Sequence, residues 1–530
     1  MSDRTLKAQF DNAHGRRSGV MRRCRECAAL TIPSVLPEVG INENSDILKP
    51  YQSLGSGGVA NLTNKLLLAL YPVGTPWWRF APSAKLFAAA QISDGAQAQL
   101  RAVEQALYTR ELLVMRVLDN ARLRTRKRTC IENLIVVGNA LSMLTDEYTL
   151  KSYRLDQYVQ KRASDGTWLW LITHERVDPL QLSDEILARA EISREDAEKV
   201  DDDSRGLDLY TRAERRRNGG FIIRQEINGH IVLESEEPVS RYFPSGYVEL
   251  PGEDYSRGFI EERTIGALRS YNGLWKALLD GTVAATNLQW FIDESSGWKT
   301  RDLTAKTGSV HTGGIVREGM IPGIACLQLN KQADLQVAQA ALVALKQDLS
   351  SAMLMESAMT PQQDRVTATQ VLRLAQEIEG ATGGVYSHIS EEEQHPLIER
   401  VTWQMKKDKL LPPLPKEIEE EVQIDVLTGI EALGRMRKAE AVRGLMQDIG
   451  QNPQLMRYIK PQWMLDAYLQ AYTIDTRAAT KSDEEVKAED QAAMQQQMQA
   501  MMAQQAVQSG GKIVENAASA PAPAMPAMSQ

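Results

Sequence analysis

The chain is poor in the residue types that most often carry chemistry. Four cysteines in 530 residues, Cys24, Cys27, Cys130 and Cys326, exclude a disulfide scaffold and point to a reducing compartment. Six histidines leave little for acid–base work. The phosphate-cradling pattern GxxxxGK[ST] is missing: no glycine precedes Lys306-Thr307, and Gly511-Lys512 runs into Ile513. No GxSxG elbow appears. Long apolar runs are lacking too, since Leu66–Tyr71 and Leu134–Val137 fall far short of a membrane span. Met1–Leu30 is rich in arginine but has no apolar centre, unlike a secretory signal. Nor is there an excess of positive charge. With 61 Lys and Arg against 69 Asp and Glu the net charge is -8, which argues against a global basic surface for nucleic acid.

What remains is an ordinary folded composition, 43% hydrophobic and 25% charged, on a chain long enough for several domains. The first third reads as helix. Val59–Leu70 is punctuated by Pro72, and Gln97–Arg128 repeats apolar residues at three- and four-residue steps, as one helix or two joined. An α+β region follows over about Lys151–Leu250. Ser152–Val159 and Thr167–Thr173 favour strand around Ser164-Asp165-Gly166, and Asn228-Gly229 marks a type I′ hairpin. Between them Leu182–Val200 reads as a charged surface helix.

Helix is expected again from Phe259 to about Ile292, then loops and short strands over Ser295–Pro322. Asn330 can cap a helix running to about Met355, in which Leu335, Ala338, Leu342, Leu345, Leu349 and Ala352 alternate steps of three and four. That repeat makes a narrow seam suited to a neighbouring helix. A polar loop with Pro361 precedes helix from about Val366 to Leu411, which Pro412 stops, and more helix follows to about Thr480. From Lys481 the composition falls to Gln, Ala, Met and Pro and reads as disordered.

The chemical motifs are thin. Cys24-Arg25-Glu26-Cys27 has no second pair to complete a zinc site and reads as surface thiols. His388, Glu391 or Glu392, and His395 could share a helical face for a metal, but the Glu-rich run reads as a solvated face. Two basic clusters, Arg122, Arg124, Arg126, Lys127, Arg128 and Arg212, Arg215, Arg216, Arg217, could meet phosphates, pair with acidic runs or be solvated. No catalytic residue, metal or cofactor is expected.

Several segments carry a resemblance when taken in order. They are Leu30-Thr31-Ile32-Pro33-Ser34, Tyr51-Gln52-Ser53-Leu54-Gly55, Asn64-Lys65-Leu66, Phe259-Ile260-Glu261-Glu262 and Leu268-Arg269-Ser270. Then come Leu303-Thr304, Thr307-Gly308, Leu327-Gln328-Leu329, Lys331-Gln332-Ala333-Asp334, Arg365-Val366-Thr367-Ala368 and Gly383-Gly384-Val385-Tyr386-Ser387. Across about Leu30–Gly434 their order and spacing resemble the portal (head-to-tail connector) proteins of T7-like short-tailed bacteriophages. Thr369 and Gln370 depart from the acidic residues common after the Val-Thr-Ala step.

The resemblance implies an α+β, mainly helical fold that assembles as a ring, usually of twelve, at one capsid vertex. It implies a wing over 1–258, stem helices at 259–291 and 331–355, a clip at 292–330 and a tunnel loop at 356–365. A return helix, outer wing and crown would fill 366–480, ahead of a tail at 481–530. Gln362, Gln363, Asp364 and Arg365 would face the DNA channel. Lys299, Arg301 and Lys306 would lie in the docking clip, and Leu335, Ala338, Leu342, Leu345 and Leu349 would form the subunit-packing seam. Implied partners are the terminase large subunit, capsid and scaffolding proteins, tail adaptor and internal core proteins, and double-stranded DNA without sequence preference. No stable membrane association is implied. The setting would be the virion, with assembly in the host cytoplasm. The rival readings are a non-portal virion or tail protein and an enzyme of phage DNA metabolism.

Overall fold

The computed structural model describes residues 5–41, 44–72, 77–83, 94–193, 195, 206–286, 289–293, 324–327, 332–355, 388–415, 419 and 421–426, with five single positions beyond them. The chain divides into two compact units, residues 1–440 and 441–530. In the second, Gln491, Met494, Gln495 and Met498 are helical and exposed. The architecture that follows is that of the first unit.

Helices α1 (Leu6–Arg16), α2 (Ser18–Leu30) and α3 (Leu54–Leu70) lead to a strand, β1 (Trp78–Pro82). Helices α4 (Asp94–Asn120) and α5 (Leu123–Val137) come next, where the sequence predicts one helix or two joined. The break falls at Arg122, whose φ of 52° lies in the left-handed region that no helix interior accepts. Gly138 ends α5 with a φ of 75°, and a Cβ there would sit 2.3 Å from the Gly258 nitrogen, so only glycine fits. Strand β2 (Asn139–Leu144) then lies between β3 (Leu150–Tyr153) and β9 (Tyr242–Gly246).

The strand expected over Ser152–Val159 is divided by a single turn of 3₁₀ helix at Leu155–Gln157. It splits because its halves join different sheets, β3 pairing with β2 while β4 (Tyr158–Arg162) opens a second one. That sheet is an antiparallel meander of β4, β5 (Trp168–Val177), β6 (Leu207–Arg215), β7 (Phe221–Ile227) and β8 (His230–Glu237). The β7–β8 turn is the expected Asn228-Gly229, with φ of 53° and 82°. Helix α1 covers the meander, its Phe10 packing edge-on to Tyr210 at 5.7 Å. Of the helix expected over Leu182–Val200, the structure describes α6 (Asp184–Arg189), capped by Ser183 and ended by a left-handed Glu191, and a helical Glu195; 194 and 196–200 lie outside the described residues.

A π-helical turn at Ile260–Thr264 starts α7 (Ile265–Thr286), which stops short of the expected Ile292. Trp290-Phe291-Ile292 instead form most of β10 (Gln289–Ile292), paired with β11 (Ile324–Leu327), as aromatic and β-branched residues favour. Helix α8 (Gln332–Ala352) follows, then a second π turn at Ser390–Gln394 and α9 (His395–Lys407). Val422–Val426, expected as helix, is strand β12 and pairs with β1. The main core draws on α2, α3, α5, the β3-β2-β9 sheet and α7 to α9. Among the described residues no helix is long and apolar enough to cross a membrane.

Candidate functional site

Helices α7 and α8 form an antiparallel hairpin tipped by the β10–β11 ribbon. The predicted seam is the inward face of α8 up to Leu349: Leu342 and Leu349 are buried and Leu335, Ala338 and Leu345 are half-buried, while Ala352, the last step of the repeat, is exposed. Leu268, Tyr271, Leu274, Trp275 and Leu278 of α7 supply the complementary apolar row. Leu335 approaches α7 at Gly281, where a Cβ would make ordinary contact with it at 3.5 Å. The opposite faces keep apolar residues in solvent: Leu279 and Val283 on α7, and Val337 and Val343 on α8. The seam predicted to pack subunits is thus filled within the chain.

The far end of α8 is pinned to α3. A helix C-terminus carries carbonyls without partners and a partial negative charge. Buried Lys65 donates to the Leu354 carbonyl at 2.7 Å, and Asn61 Nδ2 donates to the carbonyls of Met353 and Leu354 at 3.0 and 2.9 Å. Gly58 of α3 lets Met353 lie directly against the helix backbone, where a Cβ would collide with its sulfur. Leu354 turns the chain away with a φ of 54°.

The chain returns at His388, and that end is pinned by charge. Arg162 of β4 pairs with both Glu249 and Glu392, and the Gly246 N–H donates to Glu392 at 2.9 Å. His388 Nε2 lies 3.3 Å from Glu392 and 3.6 Å from Glu249. The nearby Glu249 and Glu392 carboxylates, which favour the charged ring, raise its pKa to about 10. One residue on, Glu393 pairs with Lys127 of α5, both virtually without solvent contact, and Lys127 Nζ also donates to Ser142 at 3.3 Å. Arg400 of α9, 1% exposed, donates to Glu237 at 2.6 Å, and Gln394 donates to the Leu70 carbonyl at 2.7 Å. The chain is thus held at Leu354 and again from His388, and 356–387 lie outside the described residues.

The structure corrects the reading of this run as a solvated face. His388 and Glu392 come together and are half-buried, while Glu391 and His395 are exposed, the π turn shifting the register between them. Glu249, His388 and Glu392 form the one group among the described residues with metal-ligand spacing. It is nevertheless a charge knot: a guanidinium occupies both carboxylates, and a protonated imidazole has no lone pair to offer a metal.

Cys24 and Cys27 are not surface thiols but core residues. Burial pushes the Cys24 thiol up to about 12 and raises Cys27 as well, so neither is a thiolate at neutral pH. Each basic cluster is partly paired within the chain, and Arg124 Nε has no hydrogen-bond partner among the described residues. Arg128 meets Glu132 at 3.1 Å, Arg216 meets Glu236, Arg212 meets Glu214, and Arg215 stacks over Trp168 and Phe221.

Lys299, Arg301 and Lys306 lie outside the described residues, as do Gln362, Gln363, Asp364 and Arg365. Sequence reasoning missed Lys127–Glu393, Arg162–Glu392 and Arg400–Glu237. One signal was available. Lys127 falls on the apolar stripe of α5, between Leu123 and the Cys130-Ile131 pair, so a cation there must find a buried partner.

Comparison with known proteins extends the resemblance to nearly the whole chain. The chain is 32% identical over 440 residues to the portal protein of Escherichia phage T7, covering 81% of this chain and 79% of that protein. It is 30% identical over 538 residues to the portal protein of Enterobacteria phage T3, covering 97% and 92%. With the portal protein of Pseudomonas phage phiKMV the identity is 28%, over 95% and 97%. Among solved structures, the neck of a native gene transfer agent particle aligns over 78% of this chain and 88% of its own, at a TM-score of 0.33 and 8% identity. The sequence model of a family described as "Bacteriophage head to tail connecting protein" matches residues 3–479, and the chain belongs to that family.

Proposed function

We propose that the chain is a portal protein, forming a ring-shaped channel at one capsid vertex through which phage DNA is packaged and later ejected. The observation that carries this reading is the match to the T7 and T3 portal proteins, which for T3 spans 97% of the chain. Twelve copies would close through heterologous contacts, one patch meeting a different patch on the next copy. The outward residues Val337, Val343, Leu279 and Val283 are the surface offered to that neighbour.

In this reading 1–258 is the wing, α7 and α8 are the stem, and 292–330 is the clip where the terminase and then the tail dock through Lys299, Arg301 and Lys306. The tunnel loop at 356–365 presents Gln362, Gln363, Asp364 and Arg365 to passing DNA. A separate terminase would supply the ATP-driven step, which suits a chain without a phosphate loop. Mixed and acidic walls let a polyanion slide where a strongly basic channel would hold it.

Native mass measurement with negative-stain imaging tests the proposal. A closed ring with a hole wide enough for duplex DNA is expected, and a monomer or an open filament overturns it. Val337→Asp with Val343→Asp should abolish closure without lowering the melting temperature of the subunit. Intact rings in that double variant would move the interface elsewhere.

A further inference from the structure

Where α1 meets α2, a cavity of about 660 Å³ opens against β4, β5 and the loop at 253–257. Its lining holds five cations, Arg16, Arg17, Arg23, Lys161 and Arg257, against two carboxylates, Glu253 and Asp254. Both carboxylates are taken: Glu253 pairs with Arg257 at 3.2 Å and Asp254 with Lys161 at 3.1 Å. Arg23 is held at 2.7 Å by Glu261, which is not part of the lining. Arg16 and Arg17 are left with no carboxylate at ion-pair distance among the described residues.

Arg17 is the unusual one. It sits at the C-cap of α1, its backbone N–H closing that helix, and is only 4% exposed. Nη2 donates to the Leu155 carbonyl at 2.8 Å, and the guanidinium lies 5.1 Å over the Tyr255 ring. Nε and Nη1 have no hydrogen-bond partner, nor has Gln160 Oε1 on the same wall. A guanidinium keeps its charge at any physiological pH, so burying it without a counter-ion is costly. Buried Lys127, Arg162 and Arg400 each have a carboxylate partner, and buried Lys65 meets the carbonyl end of α8. In a chain of net charge -8, an unmatched cationic cavity is a specific feature.

We propose that this cavity binds an oxyanion, with Arg17 as the buried charge partner and exposed Arg16 at the rim. Trp170 and Tyr255 add flat apolar walls, so the group that carries the anion can pack as well as pair. A carboxylate of an acidic protein segment and a free phosphate share this chemistry.

The test uses the full-length assembled protein and calorimetric titration at constant ionic strength. One arm uses inorganic phosphate, and the other a synthetic peptide carrying the chain's Asp201-Asp202-Asp203 run. Saturable binding at one site per subunit is expected. Losing a charge-assisted hydrogen bond should weaken it about tenfold or more in Arg17→Met and about threefold in Arg16→Gln. In anion-free buffer Arg17→Met should melt at or above the wild-type temperature, because it removes an uncompensated buried charge. A tighter peptide identifies a protein source and tighter phosphate a free anion, and either supports the site. If Arg17→Met fails to fold, Arg16→Gln on the exposed rim carries the test alone. No saturable binding of either probe, or binding unchanged in the variants (an adventitious ion only), overturns the proposal.

Discussion

The α7–α8 hairpin and the α9 segment are both helices packed on the same core, yet different forces hold them. On α7 and α8 every charged side chain described is exposed, and the inward face is leucine, alanine, tyrosine and tryptophan. The stretch from His388 to Lys407 buries Glu393, Gln394 and Arg400 and ties each to a partner far away in sequence. Apolar contact is non-directional and survives small displacements. A buried ion pair loses its compensation as soon as the partner shifts. The first arrangement leaves the seam without directional ties except where Lys65 and Asn61 hold the end of α8, whereas the second fixes position through buried ion pairs.

The comparison breaks most sharply at Lys127–Glu393. Glu393→Gln leaves a buried ammonium without its counter-charge and should cost about 3–5 kcal/mol, while Lys127→Met with Glu393→Leu recovers most of it. Melting temperatures of the two variants check this, and equal losses in both would mean that packing, not charge, is at stake. Leu349→Ala in the hairpin should cost about 2–3 kcal/mol, a cavity cost without any rescue by a charge partner. It should also open α8 to amide exchange while α9 stays protected. Exchange rising equally in both helices would erase the distinction between them.

The smallest effect is at His388. Its pKa rises in the folded chain from 6.5 to about 10. The stabilisation is therefore fully present below about pH 6.5 and is lost as pH climbs toward 10. Because its contacts are long and the ring is partly exposed, His388→Gln should remove roughly 1–2 kcal/mol at neutral pH. The variant should flatten the alkaline decline in melting temperature. An unchanged pH profile would mean that Arg162 alone neutralises the knot.

These differences also explain what a reader of the sequence can find. The seam Leu335, Ala338, Leu342, Leu345 and Leu349 is legible because a 3.5-residue repeat dictates one helix face, and the observed buried face is that one. Asn228-Gly229 is legible because the turn is encoded in two adjacent residues. Glu392 and Glu393 lie in an acidic run that gives no local hint of Arg162 and Lys127, their partners more than 200 residues away. The β1–β12 pair is hidden for the same reason, and Val422–Val426 alone does not announce a strand. The candidate site is divided likewise. Its helices are legible in the sequence, but the contacts that hold Leu354 and the run from His388 are not.

The β1–β12 pairing also has a consequence for how the chain is made. Trp78 and Phe80, both buried against their surroundings in the finished fold, belong to a strand whose partner is translated about 340 residues later. At about 5–20 residues per second a ribosome leaves that edge open for roughly 17 seconds to a minute. Through that interval the nascent chain presents an aromatic strand edge with unpaired backbone groups, the kind of surface that other chains and chaperones bind. A product released before Val422 never closes it. Truncated subunits are thereby diverted to aggregation or clearance before they can compete for a place in an assembly.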